Sequence, residues 1–280
     1  MTGATAVLQR SRGALAVGFK RLGDRTVLAR LYQDGCLKAR LPRLPIDSAE
    51  AVCINTSGGL TDGDILETRI ECAPGAAAVV TSQAAERIYR SRAGDAEIST
   101  TLRVGKAATL AWIPQETIVF DGGRVVRQLD VELASTATLL LIESAVLGRT
   151  AMGETVTDGA LSDRWTVRVD GRLAFADAQA LSGPSLNALR RRPAVLDGAI
   201  AFATLLFAAP EPGDMLDALR RCAADTAYED IRFGATRLDN LVVARLAAGS
   251  GAALHGTLAS LIRVVAERVD AIHLPTVWSL

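Results

Sequence analysis

From about residue 12 to residue 182, apolar and polar residues alternate with a period of two, broken at short intervals by turn formers. That period belongs to strands with one face buried. Leu15, Val17 and Phe19 alternate with small or polar neighbours. Val27, Ala29 and Leu31 run into Asp34-Gly35, which reads as a hairpin turn returning through Leu37, Ala39 and Leu41. Ile98, Thr100, Leu102 and Val104 share one side against Glu97, Ser99, Thr101 and Arg103; Leu129, Val131 and Leu133 oppose Asp130 and Glu132. Trp165, Val167 and Val169 lead through Asp170-Gly171 into Leu173 and Phe175. Asp-Gly recurs at 34, 62, 121, 158, 170 and 197, a density that fits serial turns between stacked strands.

Beyond residue 183 the pattern changes. Pro212-Gly213 precedes a segment, Asp214 to Thr226, in which Met215, Leu216, Leu219 and Cys222 fall at helical spacing. Leu258, Leu261, Ile262, Val265 and Val269 predict a second amphipathic helix from about His255 to Asp270, and Thr236 to Leu246 reads as one more strand between the two. The expectation is a β-rich body over about 12–182 and a helix-containing part over about 183–280. No low-complexity linker separates them, so they are expected to fold as one unit. The Ala/Leu/Val-rich stretch Ala199 to Ala209 is a candidate partner surface, with Phe202 and Leu206 as its contact residues.

Composition narrows the function. The 280 residues carry 31 basic and 31 acidic side chains, so a nucleic-acid or anionic-membrane partner, which calls for a clustered basic excess, is not expected. No stretch reaches the length of an uncharged membrane span, and the N-terminus lacks a continuous apolar run, so the expected location is the cytoplasm. Two histidines and four cysteines without CxxC spacing argue against a preformed zinc site; the cysteines read as free thiols in a reducing compartment. No phosphate loop is present, since Gly105-Lys106 lacks the upstream glycine, and no nucleophile motif accompanies His255 or His273.

The remaining chemistry lies in carboxylates. Asp62 and Asp64 sit in the glycine-rich stretch Asn55-Thr-Ser-Gly-Gly-Leu-Thr-Asp-Gly-Asp64, either holding a cation or capping their own turn. Glu116 follows Pro114, which interrupts an otherwise central strand and re-aims the polar groups beside it. Glu143 shares parity with Leu139 and Leu141, and Asp177 with Leu173 and Phe175, so both point to the apolar side. An inward carboxylate is costly unless it is paired, hydrogen-bonded, protonated or hydrated. Of the 31 basic residues three are lysines, leaving 28 arginines as pairing partners. Two roles stay open: arginine-paired acids, or acids lining a hydrated internal path for a cation. A third reading treats Glu143 and Asp177 as the acid/base pair of a β-helical carbohydrate-active enzyme, although twelve aromatic residues offer few sugar platforms.

Four of these stretches, in order, resemble the urease accessory protein family UreD, also called UreH: Asn55 to Asp64; Thr81-Ser-Gln-Ala-Ala with Ile88-Tyr-Arg-Ser91; Trp112-Ile-Pro-Gln-Glu-Thr-Ile-Val-Phe120; and Glu143-Ser-Ala-Val-Leu-Gly-Arg149. Asp163-Arg-Trp165 adds a fifth point. The resemblance is strong over about 12–185 and weaker beyond. It implies a mainly β, β-helix-like stack of short strands with two helices in the C-terminal half, acting as a non-enzymatic scaffold. Such a scaffold binds UreF, which recruits the GTPase UreG, and the assembly docks on the urease apoprotein and supports nickel insertion. No tightly bound cofactor is implied, only Ni2+ in transit. Asp62, Asp64, Glu116, Glu143 and Asp177 are then the candidates for a nickel path, because exchangeable oxygen ligands suit an ion that must be handed on.

Overall fold

A computed structural model describes residues 9–149, 153–183 and 186–279. The first half contributes β1 (Arg12–Leu22), β2 (Arg25–Gly35), β3 (Leu37–Arg40), β4 (Ala49–Asn55), β5 (Ile65–Cys72), β6 (Ala77–Ser82), β7 (Glu86–Ile88), β8 (Ala96–Val104), β9 (Thr109–Trp112), β10 (Thr117–Val119) and β11 (Arg124–Leu133). The second contributes β12 (Thr138–Leu147), β13 (Ala160–Val169), β14 (Arg172–Ser182), α1 (Leu186–Arg190), β15 (Ala201–Ala208), α2 (Met215–Ala224), β16 (Ile231–Leu238), β17 (Leu241–Ala248) and α3 (Gly251–Ala266).

The chain winds as a solenoid. β1, β5, β8, β11 and β13 pair in parallel in one sheet, while β4, β6, β9 and β12 pair in parallel in the other. Successive main strands alternate between the two sheets, so each circuit advances one strand along both. Antiparallel strands finish the ends: β2 on β1 and β14 on β13 in the first sheet, β3 on β4 and the series β15, β17, β16 beyond β12 in the second. The β-helix-like stack expected from the family resemblance is the observed architecture.

The protein has three layers. Leu15, Val17, Phe19, Ile70, Leu102 and Trp165 fill the space between the sheets. The other face of the second sheet, with Leu140, Ile142, Leu205 and Phe207, packs against Leu254, Leu258, Leu261 and Ile262 of α3. Covered on both faces, this middle sheet has strands that read as unbroken apolar runs. Leu139 and Leu141 face the first sheet while Leu140 and Ile142 face the helices.

Several expectations need correction. Asp34-Gly35 is not a hairpin turn; β3 leaves β2 and joins β4 in the other sheet. The hairpin is one turn earlier, between β1 and β2. The single strand expected over Thr236 to Leu246 is a hairpin of β16 and β17. α3 begins four residues before His255, capped by the Ser250 hydroxyl, which accepts from the Ala253 N–H at 3.1 Å. A third, five-residue helix, α1, was not expected. Every residue of β15 is buried, with Phe202 at 7% and Leu206 at 0% exposure, so these two residues are core between the sheets rather than a partner surface. Leu173 is 56% exposed, because a bulge at Val167/Arg168 shifts the register before Phe175.

Candidate functional site

Pro114 divides one circuit of the solenoid. β9 ends at Trp112 and pairs with the first half of β12; β10 begins at Thr117 and pairs with its second half, as well as with β7. The Ile113 N–H still donates to the Val80 carbonyl at 2.9 Å, after which the chain leaves the ladder as far as Glu116 and is held by specific bonds. The Gln115 N–H donates to the Ser82 hydroxyl at 2.9 Å, the Thr81 hydroxyl donates to the Ile113 carbonyl at 2.8 Å, and the Glu86 N–H donates to the Glu116 carbonyl at 2.9 Å. The strand break expected at Pro114 is therefore present, and it opens room beside β12.

That room is a cavity of about 290 Å3 between the sheets, lined among others by Asn55, Glu86, Trp112, Gln115, Arg127 and Glu143. Two carboxylates face it. Both carboxylate oxygens of Glu86 accept from the Asn55 amide nitrogen, at 3.1 and 3.0 Å; burial nevertheless pushes its carboxyl above the usual range. Glu143 accepts from the Trp112 indole N–H at 2.9 Å and from Arg127 at 3.0 Å; here too burial raises the carboxyl, with the Arg127 charge opposing. Arg127 reaches across the sandwich from β11 and also donates to Asp163 at 2.5 Å. Burial works against the guanidinium charge, but Asp163 and Glu143 more than offset it and raise its pKa.

The polar residues continue past the cavity. Within the first sheet Arg127, Asp163 and Gln179 are register partners on β11, β13 and β14. Glu143, Thr204 and Arg245 are register partners on β12, β15 and β17 of the second sheet. The two rows face each other. Gln179 donates to Thr204 at 3.0 Å and to Asp177 at 3.1 Å, while Arg245 donates to Thr204 at 3.1 Å and meets Asp177 at 2.7 Å. One polar level thus crosses an otherwise apolar core from the cavity to the far edge. Burial opposes the Asp177 charge, but Arg245 and Gln179 outweigh it and hold the carboxyl below its ordinary range.

The other candidates lie around this level. Asp64 caps its loop, accepting from the Ser11 N–H at 2.6 Å and the Thr61 N–H at 2.8 Å. Asp62 accepts from the Arg92 N–H at 3.2 Å and from Arg10 at 2.9 Å; the Arg92 bond leads the contacts that lower its pKa. Both acids shape the loop beside the cavity instead of facing into it. Glu116 lies behind the strand break, 3.7 Å from His255. The five candidates do not converge, and among the described residues no three His, Cys, Asp or Glu side chains come together to hold a metal. Glu143 and Asp177 do not share a cleft: each is tied to its own arginine, and only Glu143 lines the cavity.

Sequence reasoning missed Glu86, Arg127 and Asp163 as site residues. The signal for two of them was present. Arg127 shares parity with Leu129 and Val131, and Asp163 with Trp165 and Val167, as Glu143 does with Leu141. Glu86 opens a three-residue strand, too short to show a period.

The four stretches singled out in the sequence meet at the cavity. The Tyr89 hydroxyl donates to the Gly58 carbonyl at 3.0 Å, and the Tyr89 ring meets Phe120 edge-on with centroids 5.1 Å apart. Arg149 stacks 4.4 Å above the Phe120 ring. Asn55–Asp64, 81–91, 112–120 and 143–149 are thus joined at one end of the polar level, and each contributes to the cavity lining, through Asn55, Glu86, Trp112 and Glu143 among others.

Comparison with known proteins agrees with this convergence. The model of the family described as UreD urease accessory protein matches residues 11–279, which includes the C-terminal part where the resemblance was weaker. Over 272 residues the chain is 43% identical to the urease accessory protein UreD of Rhizobium leguminosarum bv. trifolii (strain WSM2304), covering 97% of this chain and 96% of that protein. It is 42% identical over 275 residues to UreD of Chelativorans sp. (strain BNC1), covering 98% and 96%, and 41% identical to UreD of Mesorhizobium japonicum over 97% and 95%. With nearly the whole of each chain aligned at these identities, the protein belongs to the UreD family of urease accessory proteins.

Proposed function

We propose that the protein is a non-enzymatic scaffold of urease maturation in the cytoplasm. It binds UreF, through UreF the GTPase UreG, and the urease apoprotein, and the polar level between its sheets carries Ni2+ toward the urease centre. The observation that supports this reading is the continuity of inward polar residues from Glu86 and Glu143 in the cavity, past Arg127 and Asp163, to Gln179, Thr204 and Asp177. Nickel is the cargo here and no resident cofactor is needed. Carboxylate, amide and hydroxyl oxygens bind a borderline divalent ion weakly enough to exchange it, whereas thiolate and imidazole cages retain it.

The roles divide. Glu86, Glu143 and Asp177 offer carboxylate oxygens along the path. Asp62 and Asp64 hold the loop at the cavity, and Glu116 backs the strand break. No helix among the described residues is long and apolar enough to cross a membrane.

Glu86→Gln with Glu143→Gln tests the path with little disturbance of the fold: Glu86 faces a neutral amide, and Arg127 keeps Asp163 as counter-charge. In cells lacking the native gene, the double variant is expected to lower urease activity at least tenfold under limiting nickel while still co-purifying with its partners. Full activation at limiting nickel overturns the path and leaves the scaffold role standing.

A further inference from the structure

The last described residues are built into the cavity wall. Pro275 leads into a 3-10 turn, Thr276–Trp278, that lies over the strand break from the α3 side. Trp278 is 2% exposed, and its indole N–H donates to the Ile113 carbonyl at 3.0 Å and to the Thr81 hydroxyl at 3.2 Å. The Val277 carbonyl accepts from the Gln115 amide at 3.4 Å. The Trp278 ring stacks on His255 of α3, centroids 4.8 Å apart, and the Trp278 carbonyl lies 3.3 Å from that imidazole. His255 in turn faces Glu116. Three of the four residues in the break, Ile113, Gln115 and Glu116, are therefore gripped from outside by the C-terminal turn or by the histidine it covers.

The same segment forms part of the inside wall. Pro114 and Gln115 line the cavity, and the Gln115 N–H is held by Ser82, which also lines it. Ser82 is the register partner of Cys53, a third lining residue on β4. A short chain of direct contacts thus runs from Val277 through Gln115 and Ser82 to the Cys53 strand.

We infer that the C-terminal turn is a latch on the cavity: Trp278 is a positioning residue that fixes the Ile113–Glu116 segment and keeps the cavity closed on the helix side. Releasing the turn frees this segment, which is fixed to the ladder only through side chains and single backbone bonds. The latch governs access to the cavity whatever moves through it, so it stands apart from the nickel reading; where nickel does pass, the latch controls the path.

Cys53 supplies the probe. Labelling of the full-length chain, purified with its partners, by a small thiol reagent is followed site by site by mass spectrometry. Cys72, also buried between the sheets but not lining the cavity, reports general loosening. Trp278→Phe keeps a ring to stack on His255 and removes both indole bonds. It is expected to raise the Cys53 labelling rate about fivefold, the factor given by loss from the closed state of the single indole N–H donor that both bonds share, with Cys72 unchanged. Deletion of 275–280 is expected to raise it further. Unchanged Cys53 labelling in Trp278→Phe, or equal acceleration at Cys53 and Cys72, overturns the latch; the point variant decides the matter even where the deletion fails to fold.

Discussion

Arg127 shows what one charged residue does in this core. It is 5% exposed, and its guanidinium bonds Glu143 on one side and Asp163 on the other, tying the two sheets together. Removing one partner from a buried ion network strands the others without compensation. Arg127→Met is therefore expected to destabilise the protein by about 3–5 kcal/mol, read from urea unfolding. Adding Glu143→Gln and Asp163→Asn to that variant is expected to restore most of the loss, because the stranded charges are gone. At this scale the sequence was informative wherever a strand was long enough to show its period. Parity placed Glu143 inward, and the same rule, applied to bases, points to Arg127. Of the capping roles weighed for Asp62 and Asp64, that of Asp64 is seen in its bond from the Thr61 N–H, while Asp62 ties its loop to Arg92 and Arg10 instead. Glu86 was illegible because its cavity is made by a break in another strand.

Elements depend on how the same dipeptide is used in different settings. Asp170-Gly171 joins β13 to β14 with both residues at positive φ, 47° and 78°, the geometry of a two-residue hairpin. Asp34-Gly35 has positive φ only at Gly35, and a Cβ there would sit 1.9 Å from the Arg12 carbonyl oxygen, which accepts the Cys36 N–H. A Cβ at Gly171 meets nothing within 4 Å. Gly171→Ala is expected to cost about 1 kcal/mol from backbone conformation alone. Gly35→Ala is expected to cost at least about twice as much, since the backbone must also move; the two unfolding midpoints compared in one denaturant series check the ranking. The turn dipeptide was visible in sequence, but the change of sheet after it was not, because that depends on β4 being free to receive β3.

The contact between α3 and the strand break carries a pH signature. Glu116, facing it, raises the pKa of His255 against burial, while burial pushes Glu116 up and the His255 contact outweighs it, for a net lowering. A raised histidine adds stability below its unfolded value of 6.5, lost as pH climbs through the folded one; a lowered carboxylate adds stability above 4.5, lost as pH falls through its folded one. Glu116→Gln is thus expected to destabilise most between pH 5 and 6.5, by about 0.5–1 kcal/mol, and progressively less above it. Thermal midpoints of both proteins across that range measure the difference.

For the whole molecule, the arrangement follows from a middle sheet covered on both faces. Its strands could not display alternation, which is why β15 read as a sticky surface segment and why Phe202 and Leu206 turned out to be core. The stack of short strands, the change of character after residue 183 and the break at Pro114 were legible, since each has a local cause in period or turn chemistry. The polar level was legible only in its separate members, because its continuity is a matter of register between strands far apart in sequence.

In the proposed function this polar level conducts the cargo. Its most direct test is the nickel content of urease after incubation of apo-urease with nickel-loaded UreG, UreF and either the wild-type protein or the Glu86→Gln, Glu143→Gln variant, with a chelator in the bulk solution. Nearly full metal occupancy is expected with the wild type, and at least a tenfold lower initial loading rate with a variant that still assembles. Equal rates in the presence of the chelator contradict it.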